Sequence, residues 1–204
     1  MKRRTLLFGT GTAAAGGAGL VGSGAFSGVV SKRDAKIAVA HDRDAYLGLR
    51  RSDGPNRSYV DYDRRGHLRL RMDRKNPTEG GGTGVNSDSV SRFDDLFRVC
   101  NQGKSSARIF LLKRGPRADR VTFYHGSSRK GYEVVSGQRL AVSDCLRIGL
   151  STRTKHIASS TQLLRQVVVV AIADDAVEKD VKPETILEAI EIDGDGHEWV
   201  LNEP

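Results

Sequence analysis

The sequence has few aromatic residues and none of the common catalytic motifs. Six phenylalanines, five tyrosines and one tryptophan occur among 204 residues, which leaves little material for the stacking platforms that bind nucleic-acid bases. Cys-x-x-Cys, His-Glu-x-x-His and Gly-x-Ser-x-Gly motifs are absent, and these are motifs of redox, zinc and hydrolase sites. The histidines lack metal-ligand spacing and are predicted to be surface residues: His41, His67, His125, His156 and His197. We therefore expect a non-enzymatic protein with no catalytic residues, metal site, cofactor or specific nucleic-acid partner.

The N-terminal uncharged run lacks the leucine content of a stable membrane anchor. Residues 5–31 carry no charged side chain, but glycine interrupts them repeatedly, and glycine is a poor helix former that adds no apolar surface. Arg3 and Arg4 stand before this run, which is the arrangement of a twin-arginine export signal. An ordinary secretory signal and an uncleaved anchor are the alternatives.

Small residues near the end of the uncharged run predict where a signal peptidase cleaves the N-terminal segment. Ser23 and Ala25 fit a signal peptidase, so we predict cleavage between Ala25 and Phe26. Residues 1–25 are then a twin-arginine-type signal peptide, the twin-arginine translocase is a partner during export, and the mature protein is extracellular or on the cell surface. Cleavage removes three basic residues and lowers the net charge from +8 to about +5, which still favours association with anionic polymers.

Alternation of apolar and polar residues is the recurring pattern of the mature chain. It is clearest in residues 67–73, where Leu68, Leu70 and Met72 share one face of a strand. Similar short strands are predicted at residues 36–40, 45–49, 96–100, 107–112, 121–124, 133–135, 139–142 and 145–151. Many short strands separated by glycine-rich turns predict an all-β fold, an antiparallel β-sandwich over residues 26–174.

The remaining segments show other patterns. Residues 166–172 are apolar on both faces and β-branched, which predicts a central strand covered on both sides. Residues 157–165 predict a short helix or turn with Leu163 and Leu164 facing inward. In the C-terminal segment 175–204, a two-turn helix is predicted over residues 183–190, with a proline in its first turn, followed by a tail that ends in a last strand or a loose end.

Two cysteines, Cys100 and Cys145, are candidates for a disulfide. An exported protein meets an oxidising environment that permits such a bond. The bond would close a loop of about 45 residues and stabilise the fold by roughly 4 kcal/mol. Two free, buried thiols are the alternative.

Basic residues form two clusters along the chain. The first contains Arg64, Arg65, Arg69, Arg71, Arg74 and Lys75, and the second contains Arg108, Lys113, Arg114, Arg117 and Arg120. One interpretation is a binding module for an acidic polymer such as an acidic polysaccharide, with Arg69, Arg71, Arg108 and Arg114 as the candidate contacts. The other is a pair of solvated sheet edges, where charge deters pairing with other chains.

Five short stretches resemble a known group of proteins. They are GSGAFS at 22–27, AYLGL at 45–49, GVNSDS at 84–89, FDDLFRVCNQG at 93–103 and VVVVAIAD at 167–174. Together they resemble a secreted family of halophilic archaea, a domain of unknown function, and more distantly the camelysin and TasA proteins of bacterial biofilm matrix. The resemblance implies a jelly-roll-like β-sandwich of the cell surface or extracellular matrix. It also implies self-association, in which an N-terminal strand, here within residues 26–40, completes the sheet of the next subunit.

Overall fold

The computed structural model describes residues 38–127, 131–174 and 199–202. From Val39 onward these residues belong to one compact unit. The predicted signal residues Arg3 and Arg4, the cleavage site between Ala25 and Phe26, and the predicted helix at 183–190 lie outside the described residues.

Within the described residues, the larger sheet has five antiparallel strands. They are β1 Leu47–Arg51, β4 Val90–Asn101, β6 Val121–Ser127, β7 Gly131–Val134 and β9 Cys145–Arg153. Their order in the sheet is β1, β4, β9, β6, β7.

The second sheet is organised around β5, Ala107–Arg114. Its full length pairs with β10, Gln166–Ala173, while β8, Ser136–Leu140, and β11, Val200–Leu201, pair with successive parts of β5. A separate hairpin is formed by β2, Val60–Tyr62, and β3, Leu68–Leu70. Short 3-10 helices at Pro55–Tyr59 and Ala118–Arg120 precede β2 and β6.

The apolar core lies between the two main sheets. Alternate residues of β4 and β6, including Val99 and Phe123, are fully buried together with Ile109 and Leu111 of β5. The rings of Phe97 and Phe123 meet edge to face with centroids 6.4 Å apart. Because residues of both sheets contribute to one cluster, the alternation read in the sequence encodes two layered sheets. The predicted all-β, antiparallel fold class is confirmed.

Strand β4 is longer than its apolar residues predict. Pairing with β9 shifts register between Phe93 and Phe97, and Asp95 there has a positive φ of 52°. This bulge admits two consecutive aspartates that interrupt the alternation. On β9 nearby, Gly149 lies under Tyr124, where a Cβ atom would come within 2.6 Å of the ring.

The position predicted for the β-branched strand at 166–172 is wrong. Among the described residues β10 pairs only with β5, so it is an edge strand rather than a central one. Its four consecutive valines are half-buried instead of fully covered. A β-branched sequence favours a strand, but the strand's place in the sheet depends on partners that are distant in sequence.

Two shorter segments have different outcomes. The described part of the predicted strand at 36–40 is not in a strand. Residues 157–165 follow the turn alternative rather than the helix, and Leu163 and Leu164 pack against the core as expected. The last predicted strand is present as β11. Directly after it, Asn202 is fully buried and bonds to both the N–H and the carbonyl of Phe123, which ties the C-terminal residues to β6.

A disulfide joins Cys100 of β4 to Cys145 of β9. The two residues are directly opposite in the register of these strands. The bond therefore ties β4 to the central strand β9 at the end where β9 begins.

Candidate anion-binding site

The arginines predicted as polymer contacts on β3 and just after it are paired with an acid. Arg69 donates two hydrogen bonds of 3.1 Å to the carboxylate of Asp61 on β2. Arg71 lies 3.5 Å from the same carboxylate and also donates to the carbonyl of Lys75. One aspartate therefore partly neutralises both guanidinium groups.

The two predicted arginines of β5 lie in the other sheet. Arg108 forms a 2.9 Å ion pair with Asp174. Arg114 is only 6% exposed, donates to Gln166 and stacks over the Trp199 ring at 4.8 Å from its centroid. These residues support the sheet and do not form a common surface with Arg69 and Arg71.

A different set of arginines surrounds Tyr62, at the end of β2. The Tyr62 hydroxyl accepts a hydrogen bond from the N–H of Arg51 and donates to the carbonyl of Leu49. Asp42 supplies a carbonyl for the N–H of Leu49. These bonds satisfy backbone groups at the outer edge of β1, fix Tyr62 in place and oppose addition of another strand there.

The turn between β2 and β3 carries Arg64 and Arg65 at its tip. The Asp63 carboxylate accepts hydrogen bonds from the N–H groups of Arg65 and His67 at 2.8 and 2.9 Å. Hydrogen bonding, above all from the His67 N–H, holds the pKa of Asp63 below its ordinary value. Gly66 follows with a φ of 83°, a conformation that glycine adopts readily. The turn is thus ordered while both arginine side chains remain exposed.

Two open depressions of about 420 and 450 Å³ meet at Tyr62. We call their lining the Tyr62 surface. Seven arginines and three aspartates line it, together with Ser52, Tyr62 and His67: Arg43, Arg50, Arg51, Arg57, Arg64, Arg65, Arg69, Asp44, Asp53 and Asp63. The excess of arginine makes the surface electropositive.

Four guanidinium groups of the Tyr62 surface have neither an ion pair nor a hydrogen bond with any described residue. Arg43 pairs with Asp44 at 3.3 Å, Arg50 donates to Gln102, and Arg69 binds Asp61. The exposed side chains left over are those of Arg51, Arg57, Arg64 and Arg65. Each offers a planar donor fork that fits sulfate, phosphate or carboxylate groups.

The basic clusters identified in the sequence contain only some of the arginines of this surface. Arg64 and Arg65 stand in the first basic cluster, but Arg51 and Arg57 belong to neither cluster. They flank a turn at Asp53-Gly54-Pro55-Asn56. Arginines on either side of the turn at 53–56 and within the turn at 63–66 are the signal that would have found the surface.

Comparison with known proteins does not assign this chain to a family. No protein-family model and no curated protein matches the sequence. The resemblance to the secreted haloarchaeal family and to the TasA proteins therefore stays a prediction. Within the described ranges, three or more His, Cys, Asp or Glu side chains nowhere converge as a metal site, and no helix has the length and apolarity of a membrane crossing.

Proposed function

We propose that this chain is an exported, non-enzymatic β-sandwich that binds an acidic polysaccharide at the Tyr62 surface. The observation that carries the proposal is the set of four exposed guanidinium groups that have neither an ion pair nor a hydrogen bond among the described residues. Unpaired like charges held close together repel one another. A polyanion removes that repulsion by supplying the missing acids.

An acidic polysaccharide fits this surface better than a nucleic acid does. Single-stranded nucleic acids bind largely by stacking bases on aromatic side chains, and Tyr62 is the only aromatic residue that lines the two depressions. Its ring is half-buried and its hydroxyl is bonded to β1. Sulfate and carboxylate groups need only the guanidinium donors.

The export part of the proposal is supported by the leader at residues 1–25 and by the disulfide. A twin-arginine signal predicts passage out of the cytoplasm. Disulfides persist in extracellular compartments, and Cys100 and Cys145 are bonded. Mass spectrometry of secreted protein, with and without reductant, tests the processing site and the thiol state together.

Binding is tested with labelled dextran sulfate, polygalacturonate, neutral dextran and a single-stranded oligonucleotide. We expect the sulfated or the carboxylated chain to bind, with an affinity that falls steeply as salt rises. Reversing Arg64 and Arg65 to Glu should weaken binding at least about tenfold. Reversing Arg117 and Arg120 is the matched control, because both are exposed and lie next to a different strand, β6.

The outcomes separate the alternatives. Equal loss in both double variants would show that net charge alone attracts the polymer and would contradict a site at Tyr62. Tight binding of the oligonucleotide and none of the polysaccharides would replace the proposed ligand with a nucleic acid. Binding of neutral dextran at the same strength would refute recognition of acid groups.

Self-assembly by strand addition is a second candidate function, favoured by one observation. Among the described residues, the second side of β10 pairs with no strand, and an unpaired apolar edge is a template for another chain. We expect mature protein beginning at Phe26 to form large assemblies in sedimentation experiments. Deleting residues 26–40, or replacing the exposed Ala171 of β10 with Lys, should leave monomers. Assemblies that survive both changes would refute strand addition at β10.

A further inference from the structure

Three arginines lie directly opposite one another on adjacent strands of the larger sheet. Arg50 of β1 is the register partner of Arg98 of β4, and Arg98 is the partner of Arg147 of β9. The neighbouring register partners Leu49 and Val99 pack in the core. Side chains alternate along a strand, so this arginine row occupies the outer face of the sheet.

The row is only partly neutralised. Arg98 forms a 2.9 Å ion pair with Asp53, whose side chain is 84% exposed. Arg147 is 65% exposed and lies 4.0 Å from Asp95, while Arg50 donates to the uncharged Gln102. Like charges directly opposite on neighbouring strands are destabilising, so an anion that lies along the row would relieve the repulsion that Asp53 and Asp95 leave.

The row continues the Tyr62 surface. Arg50 and Asp53 line the first depression, and Arg50 is also the first member of the row. Adjacent strands are about 4.8 Å apart, so the row carries positive charge roughly 10 Å further across the sheet, to Arg147.

We infer that the ligand is a linear polyanion that leaves the Tyr62 surface and crosses the strands along the arginine row. This inference rests on the proposed function and narrows its ligand class. A single sulfate or carboxylate group would need only the guanidinium groups around Tyr62. A chain with an acid group on each repeat reaches Arg98 and Arg147 as well, so these residues determine how binding depends on chain length.

The test compares a sulfated disaccharide with long dextran sulfate in binding titrations at low salt. Arg147→Glu should weaken binding of the long chain at least about tenfold and leave binding of the disaccharide unchanged. Arg64→Glu should weaken both. The matched control is Arg153→Glu, an exposed position on the same strand and face, about 20 Å further along β9. Repeating the titrations with digalacturonate and polygalacturonate identifies the acid group.

Failure of this inference can be told apart from failure of the proposed function. If Arg64→Glu weakens binding of the long chain and Arg147→Glu does not, the row is no part of the site, while the function at Tyr62 stands. If Arg147→Glu and Arg153→Glu weaken binding equally, net charge explains the effect and the row is also refuted. If none of the three variants changes binding, both proposals are wrong.

Discussion

The arginines of β3 and β5 and the unpaired arginines around Tyr62 carry the same charge in opposite surroundings. Arg69 and Arg108 each face an aspartate on a neighbouring element, Asp61 and Asp174. Around Tyr62, the guanidinium groups of Arg57 and Arg64 have no acid partner among the described residues. Arg69 and Arg108 are thus compensated by acids on neighbouring elements, whereas the unpaired arginines around Tyr62 remain available to a ligand.

Because of this difference, we expect the paired arginines to affect the stability of the fold and the unpaired arginines to affect ligand binding. A buried or paired arginine contributes to the folded state, because its removal leaves partner groups unsatisfied. An exposed, unpaired arginine contributes little to stability, and a substitution there usually changes the free energy of unfolding by less than about 0.5 kcal/mol. The two groups should therefore respond in opposite ways to the same substitution.

The largest difference is expected between Arg114→Glu and Arg64→Glu. Arg114 is buried against Gln166 and Trp199, so a carboxylate there should lower the free energy of unfolding by about 3 kcal/mol or more. Arg64→Glu should leave stability unchanged and lower only the affinity for dextran sulfate. Urea denaturation measures the first effect. Equal destabilisation by both substitutions would show that burial does not distinguish the two groups.

A smaller effect is expected when Asp61 loses its charge. Asp61→Asn removes the acid shared by Arg69 and Arg71 and so converts two compensated arginines into available ones. We expect a severalfold gain in affinity for dextran sulfate and a loss of stability of at most about 1 kcal/mol. The measurements are a binding titration and a urea denaturation curve.

The control for Asp61→Asn is Asp119→Asn. That substitution also releases an exposed arginine, Arg120, from a 3.0 Å pair, but it does so in the 3-10 helix before β6. A gain in affinity restricted to Asp61→Asn would support a site at the Tyr62 surface. An equal gain in both variants would refute it.

Alternation in the sequence predicts most strands but not their partners. The apolar residues of β5 and β9 locate these strands within a few residues of their bounds, because inward-facing positions must be apolar wherever a sheet covers a core. The start of β4 was missed because the bulge at Asp94 and Asp95 interrupts the pattern. The edge position of β10 was missed because strand order depends on contacts between distant residues.

The candidate site was harder to predict for a related reason. Arg69 and Arg71 stand out on a strand with clear alternation, but their neutralisation depends on Asp61 in β2, a three-residue strand too short to predict. The same hairpin brings Tyr62 to the edge of β1, which places arginines from separate turns side by side. The sequence does not reveal this surface, because its arginines are far apart along the chain: Arg65 comes 22 positions after Arg43.

The smallest expected effect concerns the compensated arginines of the second sheet and appears only in acid. Asp174 binds both Arg139 and Arg108, and the hydrogen bond from Arg139 is the main reason that the pKa of its carboxyl lies below the ordinary value of 3.8. A carboxyl with a lowered pKa in the folded state stabilises the fold above its unfolded pKa, and this contribution is lost as the pH falls through the folded pKa.

Asp174→Asn and Arg139→Gln should therefore lose less stability than the wild type between neutral pH and about pH 3, as measured by thermal denaturation. If the wild type and both variants lose the same amount of stability in acid, the ion pairs of Asp174 do not stabilise the fold. The arginines of β5 would then differ from those of the Tyr62 surface only in their burial.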